Sequence, residues 1–310
     1  MPQWRRRYHR SGMLYVLPAL LLFGLMIAYP IGRAFYLSFF DFSILEPDQA
    51  EFVGLGNYAK LFTQAPNHRP FWNTLYFAAI FVPPYVIFGL LIALLLNRVR
   101  RGSVALRTMI FTPVVVSLAV AAVMFTLFYD KDFGMAHKML AGGCALINFF
   151  SNLFGAGDIA AAPKEGVLGN PRWAMPAIAF VCLWNGVGVN VILYLVGLQR
   201  IPEELYEAAQ VDGASRSQRF LHVTLPQLRP TTYLVVLLSL IGAFKVFGQP
   251  FIMTGVGPQD STQTFVLRLY NLAFRYGKFQ LGYASALAYA LAVFIFVMSL
   301  FVRKLNRPVE

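Results

Sequence analysis

The stretch Glu207-Ala208-Ala209-Gln210-Val211-Asp212-Gly213 is followed, after nine intervening residues, by Val223-Thr224-Leu225-Pro226. Both pieces lie in a polar segment between two long apolar runs of the chain. Their spacing predicts a short amphipathic helix, a glycine turn and a second short helix, which together form a compact projection. Such a projection is suited to docking a partner protein, and it carries no constellation of catalytic residues.

The first of these helices has start and stop signals at both ends. Pro202 suits the first helical position, where its missing N–H would have no helical partner in any case. Glu203 and Glu204 fall in the first turn, where the helix dipole favours acidic side chains. Gly213 follows the last helical residue, at the place where a left-handed backbone conformation ends many helices. The sequence therefore predicts a helix bounded by Pro202 and Gly213.

The second short helix is predicted from a capping box. Ser215 and Gln218 have the S-x-x-Q spacing in which each side chain bonds the backbone N–H of the other residue. Because proline interrupts helical hydrogen bonding, Pro226 is expected to stop this helix, and Pro230 can open the apolar helix that follows.

Composition places the chain in the membrane class. Of its 310 residues 58% are hydrophobic and only 13% are charged, whereas a soluble domain carries about a quarter charged residues. Apolar runs of about 18 residues or more indicate transmembrane helices. The fold prediction is thus an all-α integral membrane protein with six transmembrane helices. The six runs are Met13 to Gly32, Asn73 to Leu96, Thr108 to Tyr129, Ala174 to Gln199, Thr231 to Gly257 and Phe279 to Val302.

Basic residues predict the orientation of these helices, because short cytoplasmic segments are enriched in Lys and Arg. The segments on one side carry many more basic than acidic residues, and those on the other side are balanced. The basic residues of the first side are Arg5, Arg6, Arg7, Arg10, Arg98, Arg100, Arg101, Arg107, Arg200, Arg216, Arg219, Arg229, Arg303, Lys304 and Arg307. Both termini and the segment 200–230 are therefore predicted to be cytoplasmic. The net charge of +12 is explained by topology, and no nucleic-acid partner is expected.

These assignments define the predicted domain organisation. Residues 1–12 form a basic cytoplasmic N-terminus, and residues 13–310 form a single six-helix domain. Segment 200–230 projects from that domain on the cytoplasmic side.

The sequence argues against two other functional classes. No Asp, Glu or His lies in any of the six apolar runs, although proton-coupled secondary transporters commonly place such residues inside their helices. Paired carboxylates, metal-ligand clusters and an activated nucleophile are also lacking, so the chain is not expected to be an enzyme. The phosphate-binding pattern G-x-x-x-x-G-K-[ST] is absent from the chain. Any ATP-derived energy must therefore come from a separate protein.

The motif of segment 200–230, hereafter the coupling loop, resembles that of a known family. Glu-Ala-Ala, three residues, Gly, nine residues and Val-x-Leu-Pro is similar to the EAA loop in permease subunits of bacterial binding-protein-dependent ABC importers. Val223 stands where isoleucine is usual. Four further stretches are similar to the carbohydrate branch, the maltose-type permeases. They are Tyr194 to Tyr206, Phe244 to Phe247, Met253 to Pro258 and Tyr283 to Ala286.

This resemblance implies a type I ABC importer permease fold and a coupling mechanism. In the family, the EAA loop sits in a groove of the cytoplasmic ATPase and transmits its closure to the membrane helices. Carried over, Glu207 contacts the ATPase, Ala208 and Ala209 permit close approach, and Gly213 makes the turn. Asp212, Leu225 and Pro226 complete the matched motif. A well-capped surface helix with no partner is the alternative interpretation.

The resemblance also implies partners and a location. Because one EAA loop serves one ATPase subunit, the importer needs a second permease, usually a different chain, and two cytoplasmic ATPase subunits. These ATPases bind ATP and Mg²⁺, whereas this chain is expected to bind no cofactor. An extracytoplasmic solute-binding protein delivers the solute. The chain is expected to be a multi-pass protein of the lipid bilayer of the plasma membrane.

Polar and aromatic residues inside the fourth and fifth runs are the candidates for the solute path, since polar groups at membrane depth usually face a cavity or another helix. Aromatic faces and amide groups also suit a sugar. The candidates are Trp184, Asn185, Gly186, Asn190, Phe244, Lys245, Phe247 and Gln249.

Lys245 leaves two alternatives open. Its long stem can extend toward the membrane surface or pair with a backbone carbonyl, or its ammonium can line the solute cavity. A sugar or oligosaccharide is the expected solute. Glycerol phosphate or another polar solute is the alternative that Lys245 would suit, and a stand-alone secondary transporter is the alternative from another class.

Overall fold

The computed structural model describes residues 15–99, 102–153, 163–275, 277 and 279–305. The predicted N-terminal segment 1–12 lies outside this part of the chain. The described residues are mostly helical, with one two-stranded hairpin. The long and intermediate helices are α1 (Tyr15–Leu37), α2 (Gly56–Thr63), α3 (His68–Arg98), α4 (Ser103–Val115), α5 (Leu118–Phe128), α6 (Met135–Leu153) and α7 (Ala174–Gln199). Those that follow are α8 (Glu203–Val211), α9 (Arg216–Arg219), α10 (Leu225–Gln227), α11 (Arg229–Phe244), α12 (Gly248–Met253), α13 (Phe265–Phe274) and α14 (Leu281–Leu305).

The predicted six membrane spans have counterparts in the structure. Among the described residues, five helical segments are long and apolar enough to cross a membrane, and α4 with α5 makes a sixth if the pair is one span. The five segments are Tyr15–Leu37, His68–Arg98, Ala174–Gln199, Arg229–Met253 and Leu281–Lys304. Ala174–Gln199 agrees with its predicted run, whereas the other segments begin or end two to five residues inside or outside theirs. The apolar side chains of α1 are exposed nearly all round, as expected for a helix that faces lipid or another membrane helix.

The third span is not the single helix that the apolar run from Thr108 to Tyr129 predicted. It breaks at Val116 and Ser117, which have extended backbone angles, and its two halves are bent by 92°. The break releases backbone carbonyls near Pro113, and a side chain of α7, Asn185, donates hydrogen bonds to them. Hydropathy measures apolarity rather than backbone continuity, so the run of apolar residues conceals this break.

The fifth span is also interrupted, where the run from Thr231 to Gly257 predicted one helix. Helix α11 ends at Phe244, and α12 begins at Gly248. The intervening Val246 carbonyl accepts a hydrogen bond of 2.9 Å from Thr264 Oγ1, in the buried part of the protein. Irregular backbone at membrane depth is tolerated where protein groups satisfy it or where it lines a cavity, and this segment meets the first condition.

The coupling loop contains one departure from the sequence prediction. Pro226 does not stop the second short helix. Instead, the π-helical turn Phe220–Thr224 follows α9, and α10 continues with Pro226 in its first turn. The chain stays helical before this proline because the π-helical turn shifts the hydrogen bonding, with the Leu225 N–H bonding back five residues to the Phe220 carbonyl. Pro230 lies in the first turn of α11, as predicted.

The segments predicted to face outward contain their own small elements. Strands β1 (Phe40–Asp41) and β2 (Glu51–Phe52) pair antiparallel, and Gly54 turns the chain with a φ of +54° just before α2. The sequence Gly54-Leu55-Gly56-Asn57-Tyr58 predicts this turn and a short helix after it, but it does not predict the hairpin. Segment 130–173 is rich in Gly, Ala and Pro, a composition that predicts short helices, but it holds the 19-residue helix α6. Cys144 and Cys182 are free thiols.

The chain divides into two compact units. One combines the chain up to Gln64 with Leu269–Val293, and within it the ring of Tyr289 packs on Phe35 at a centroid distance of 5.0 Å. The other combines Ala65–Arg268 with the chain from Phe294 onward. The second unit contains the coupling loop and a buried apolar core that joins α3, α7 and α11. Core members are Ala93, Leu96, Val191, Tyr194, Leu195, Leu198, Leu228 and Val235.

Candidate functional site

The first helix of the coupling loop, α8, forms as its local sequence predicts, with a shift of one residue. Pro202 is the N-cap, with φ −59° and ψ 135°, rather than the first helical residue. Glu203 and Glu204 occupy the first turn, where acidic side chains stabilise the positive end of the helix dipole.

The turn after α8 is a Schellman motif, the double hydrogen bond that often closes a helix. The Gly213 N–H donates to the Gln210 carbonyl at 3.1 Å, and the Ala214 N–H donates to the Ala209 carbonyl at 2.9 Å. Gly213 has a φ of +77°, a left-handed conformation that costs residues with a Cβ atom more than it costs glycine. The predicted glycine turn is confirmed.

The second helix begins with the predicted capping box. The Ser215 N–H donates to Gln218 Oε1 at 2.8 Å, and the Gln218 N–H donates to Ser215 Oγ at 3.4 Å. Two N–H groups that the helix start would leave without partners are thereby satisfied. The coupling loop is thus ordered by hydrogen bonds of its own.

Two side-chain contacts join the halves of the coupling loop. The hydroxyls of Tyr206 and Thr224 are hydrogen-bonded at 3.0 Å, and Arg219 Nη1 donates to Gln210 Oε1 at 3.0 Å. At the end of the loop, Leu228 is fully buried in the apolar core next to α11. The loop is therefore a rigid projection attached directly to a membrane helix.

The predicted contact residues lie on the outside of this projection. Glu207, Ala208, Asp212 and Gly213 are exposed, whereas Ala209 is half-buried. Leu225 and Pro226 are also half-buried, at the base of the loop.

Val211 is an apolar residue of the loop that the sequence prediction did not include, and it is 88% exposed. Its signal was an apolar side chain beside the glycine turn in an otherwise polar loop. Leu221, in the second half of the loop, is also an exposed apolar residue, at 55%.

A cavity of about 590 Å³ lies within the membrane spans of the second unit. Its walls come from α3, α5, α7 and α11, together with α12 and the interruption that precedes it. Six of the eight predicted solute-path residues line it, namely Asn185, Gly186, Asn190, Lys245, Phe247 and Gln249. Both interrupted spans contribute to this cavity.

The other two predicted residues lie outside the lining of the cavity. The Trp184 ring packs edge-on against Phe125 at a centroid distance of 5.1 Å. Phe244 is buried and packs perpendicular to Phe294, also at 5.1 Å. These two aromatic residues therefore pack against neighbouring rings and do not line the cavity.

The two asparagines use their amide donors within the protein. Asn185 Nδ2 donates to the carbonyls of Pro113 at 2.7 Å and Val116 at 3.2 Å. Asn190 Nδ2 donates to the Tyr85 carbonyl at 3.2 Å. Both side chains therefore hold interrupted or neighbouring helices in place in addition to lining the cavity.

Tyr85 is a cavity residue that the sequence prediction missed. Its hydroxyl donates to the Gly186 carbonyl at 2.8 Å, and a Cβ atom on Gly186 would come within 2.9 Å of that hydroxyl. One turn further, a Cβ on Gly89 would lie 2.7 Å from the Asn190 Cβ. Glycine thus permits α3 and α7 to approach closely at both levels. The signal was a tyrosine in the middle of an apolar run.

Lys245 and Gln249 differ from the other polar residues of the cavity. Lys245 is exposed at the end of α11, and Gln249 is 5% exposed on α12. In the part of the chain that the structure describes, neither side chain has a hydrogen-bond or ion-pair partner. The lining contains no Asp, Glu or His among the described residues.

Comparisons with known proteins agree with this arrangement. Residues 85–310 match the family model described as "Binding-protein-dependent transport system inner membrane component". The chain is 35% identical to the probable ABC transporter permease protein YurN of Bacillus subtilis, with 93% of this chain and 92% of YurN covered. It is 32% identical to the sulfoquinovosyl glycerol transport system permease protein SmoG of Agrobacterium fabrum, with 93% and 89% covered. It is also 32% identical to the lactose transport system permease protein LacF of Rhizobium radiobacter, with 95% and 93% covered.

The fold has a counterpart among solved structures. A bacterial ABC transporter involved in the import of the acidic polysaccharide alginate matches with a TM-score of 0.75 and 22% identity, and all of both chains is covered. The predicted permease fold is confirmed. The chain belongs to the binding-protein-dependent transport system inner membrane components and is a multi-pass membrane permease of an ABC importer, not an enzyme.

Proposed function

We propose that this chain and a second permease subunit form the membrane path of an ATP-driven importer for a saccharide. The coupling loop docks on the ATPase and moves the path. The observation that carries the proposal is the rigid, capped helix–turn–helix of residues 203–227, which exposes Glu207 and Asp212 and continues into a helix that reaches the cavity.

A loop that transmits force must be rigid and attached to what it moves. The Schellman motif, the capping box and the Tyr206–Thr224 hydrogen bond make the loop rigid. Helix α11 begins at Arg229, directly after the buried Leu228, and ends at the interruption that lines the cavity. At about 1.5 Å per residue, its 16 residues span roughly 24 Å. A push on the loop would therefore tilt α11 and change the cavity at its far end.

The exposed groups suit a protein groove as the docking partner. Glu207 and Asp212 supply carboxylates, and Val211 supplies an apolar contact beside them. Ala208 and Ala209 have small side chains that permit close approach, and Gly213 makes the turn. Leu225 and Pro226 lie at the base of the loop, where they set its direction.

The remaining components follow from the family and the chemistry of the chain. The family is binding-protein-dependent, so an extracytoplasmic solute-binding protein delivers the solute. This sequence has no phosphate-binding loop, so a different protein must bind ATP. Two ATPase subunits on the cytoplasmic side bind ATP and Mg²⁺. A different permease chain supplies the second coupling loop. Both termini lie in the cytoplasm, with residues 1–12 as a basic segment and residues 13–310 as the permease domain.

A saccharide is the solute that the cavity and the relatives favour. The names of similar permeases specify lactose, sulfoquinovosyl glycerol and arabinooligosaccharides. In the cavity, the Phe247 ring can cover an apolar sugar face, and the Gln249 amide can bond hydroxyls. Asn185, Gly186 and Asn190 form the opposing wall. Trp184 and Phe244 pack against the rings of Phe125 and Phe294 and do not line the cavity.

The proposal is tested by reversing one charge on the coupling loop. The complex with its ATPase, second permease and binding protein is placed in vesicles, and ATP-driven saccharide uptake is measured. We expect Glu207→Lys to lower uptake at least tenfold while the protein still inserts into the membrane. Gln227→Lys is the control, because it places a lysine at an exposed position of the same loop outside the motif, and it should retain most uptake. Equal uptake by the two variants would refute the coupling role.

A further inference from the structure

We propose that the cavity admits a saccharide bearing one negatively charged group, which pairs with the Lys245 ammonium and accepts a hydrogen bond from the Gln249 amide. This inference rests on the proposed function as a saccharide permease, and it specifies the class of solute. The charged group is a carboxylate, a sulfonate or a phosphate ester.

The cavity carries a net positive charge. Lys245 contributes a cation, and the described residues of the lining contribute no carboxylate and no histidine. Gly248, close by in the chain, also lacks any group that could neutralise it. An uncompensated charge at membrane depth is costly and is found where it pairs with a partner or faces a functional path. The cavity therefore attracts anions.

The backbone around Lys245 does not need its ammonium. The interruption of the fifth span frees the Val246 carbonyl, but Thr264 Oγ1 already donates to it at 2.9 Å. The Lys245 N–H bonds the carbonyls of Ile241 and Gly242 at 3.2 Å each, so the end of α11 is closed by backbone alone. The side chain is thus available to a solute in the cavity it lines.

Gln249 supplies the second, independent observation. Its side chain is 95% buried, lines the same cavity, and has no hydrogen-bond partner among the described residues. A buried amide without a hydrogen-bond partner is unfavourable, so the Gln249 amide needs a hydrogen bond to a solute or to water. Asn185 and Asn190, by contrast, already donate to backbone carbonyls. The available donors of the cavity are therefore Lys245 and Gln249, and both favour an acceptor that carries negative charge.

The size of the cavity and its aromatic residue are consistent with a sugar ring behind the charged group. A volume of about 590 Å³ is within the range of small-molecule sites. Phe247 lines it and stacks on Phe251 at a centroid distance of 5.2 Å and an interplanar angle of 22°. This pair offers a flat, well-supported surface near Lys245.

The sign of the cavity potential can be measured without knowing the solute. In the assembled complex, Val189, an exposed cavity residue on α7, is changed to cysteine, with Cys144 and Cys182 changed to serine. The rates of reaction with an anionic and a cationic methanethiosulfonate are then compared, each normalised to free cysteine. We expect the normalised anionic-to-cationic ratio to exceed one. It should fall at least tenfold with Lys245→Met, because a nearby charge acts strongly in a low dielectric.

Lys138→Met is the matched control, because it removes an exposed lysine of α6 that does not line the cavity. It should leave the ratio unchanged. A ratio below one, or a ratio that Lys245→Met does not lower, would overturn the proposal.

Uptake identifies the charged group. Vesicles with the complete importer are offered galacturonate, a 6-sulfonated glucose, glucose 6-phosphate and neutral lactose. We expect uptake of one anionic sugar that falls at least tenfold with Lys245→Met and persists with Lys245→Arg. Uptake of lactose alone, or anionic uptake that Lys245→Met leaves unchanged, refutes the inference while the permease function stands. If no saccharide enters with ATP, the proposed function fails, and the cavity potential alone then decides whether the site favours anions.

Discussion

Asn185 Nδ2 lies 2.7 Å from the carbonyl oxygen of Pro113. This hydrogen bond joins α7 to the end of α4, next to the 92° bend of the third span. The same amide also donates to the Val116 carbonyl at 3.2 Å. Because lipid cannot satisfy freed carbonyls, Asn185 stabilises the bend at membrane depth, together with the Val116 N–H, which donates to the Pro113 carbonyl at 3.2 Å.

Asn185→Leu should therefore destabilise the protein. Leucine fits an apolar span but leaves two carbonyls with one donor fewer, at a cost of about 1–3 kcal/mol. Thermal unfolding of the purified complex should show a lower midpoint. Cys182→Ser is the control, since Cys182 lines the same cavity nearly one turn away on α7 and does not bond to the bend. A midpoint for Asn185→Leu equal to that of the control would contradict this role.

Gly213→Ala should weaken the coupling loop through backbone strain alone. A Cβ atom on Gly213 would meet no atom within 4 Å, but the φ of +77° is unfavourable for alanine, by about 1–2 kcal/mol. Gly142→Ala in α6 also meets no atom, and its backbone is not left-handed, so it should be neutral or stabilising. Thermal midpoints of the two variants should differ in this direction. Equal midpoints would show that the turn does not require glycine.

Gly89→Ala should disturb the contact between α3 and α7, because the new Cβ would lie 2.7 Å from the Asn190 Cβ. Overpacking of this kind costs about 1–3 kcal/mol. Adding Asn190→Gly removes the opposing Cβ, so the double variant should be more stable than the sum of the single effects predicts. Simple additivity in a double-mutant cycle of unfolding midpoints would argue against the close contact.

Asp130 should make the turn after α5 sensitive to acid. The N–H groups of Phe133 and Asp132 donate to its carboxylate at 3.0 and 2.8 Å and hold the pKa of Asp130 below its ordinary value. The lowered pKa stabilises the turn above the unfolded pKa of about 3.9, and this contribution is lost as pH falls through the folded pKa.

Hydrogen exchange of the Phe133 amide, corrected for its intrinsic rate, measures this effect. Protection in the wild type should decrease on acidification below about pH 3.9. Asp130→Asn keeps an acceptor oxygen that does not titrate, so its protection should be flat over the same range. Parallel curves for the two proteins would exclude the carboxylate as the cause.

The sequence predicted those features that depend on local signals or on composition. The coupling loop formed around Gly213 and the Ser215–Gln218 box because a few neighbouring residues determine both motifs. The apolar runs located the membrane spans because lipid requires about 20 apolar residues in a helix. Most of the predicted solute-path residues also line one cavity, since a polar side chain in an apolar run needs a polar neighbour or a cavity to face.

The features that the sequence did not predict depend on contacts between distant residues. The bend of the third span relies on Asn185, and the interruption of the fifth relies on Thr264. Asn185 and Thr264 are both distant in sequence from the break that they stabilise. Phe244 precedes a cavity residue, Lys245, yet it lies in the core against Phe294, because adjacent residues of a helix point in different directions.

The central claim is that hydrolysis of ATP by a partner moves this permease through its coupling loop. Uptake and ATP hydrolysis should be measured together in vesicles that contain the complete importer, with wild type and Gly213→Pro compared. Proline cannot adopt a φ of +77° and removes the N–H that bonds Gln210. We predict that the variant hydrolyses ATP but takes up no saccharide above background. Normal uptake by Gly213→Pro, or uptake without nucleotide by vesicles that contain this chain alone, would contradict the claim.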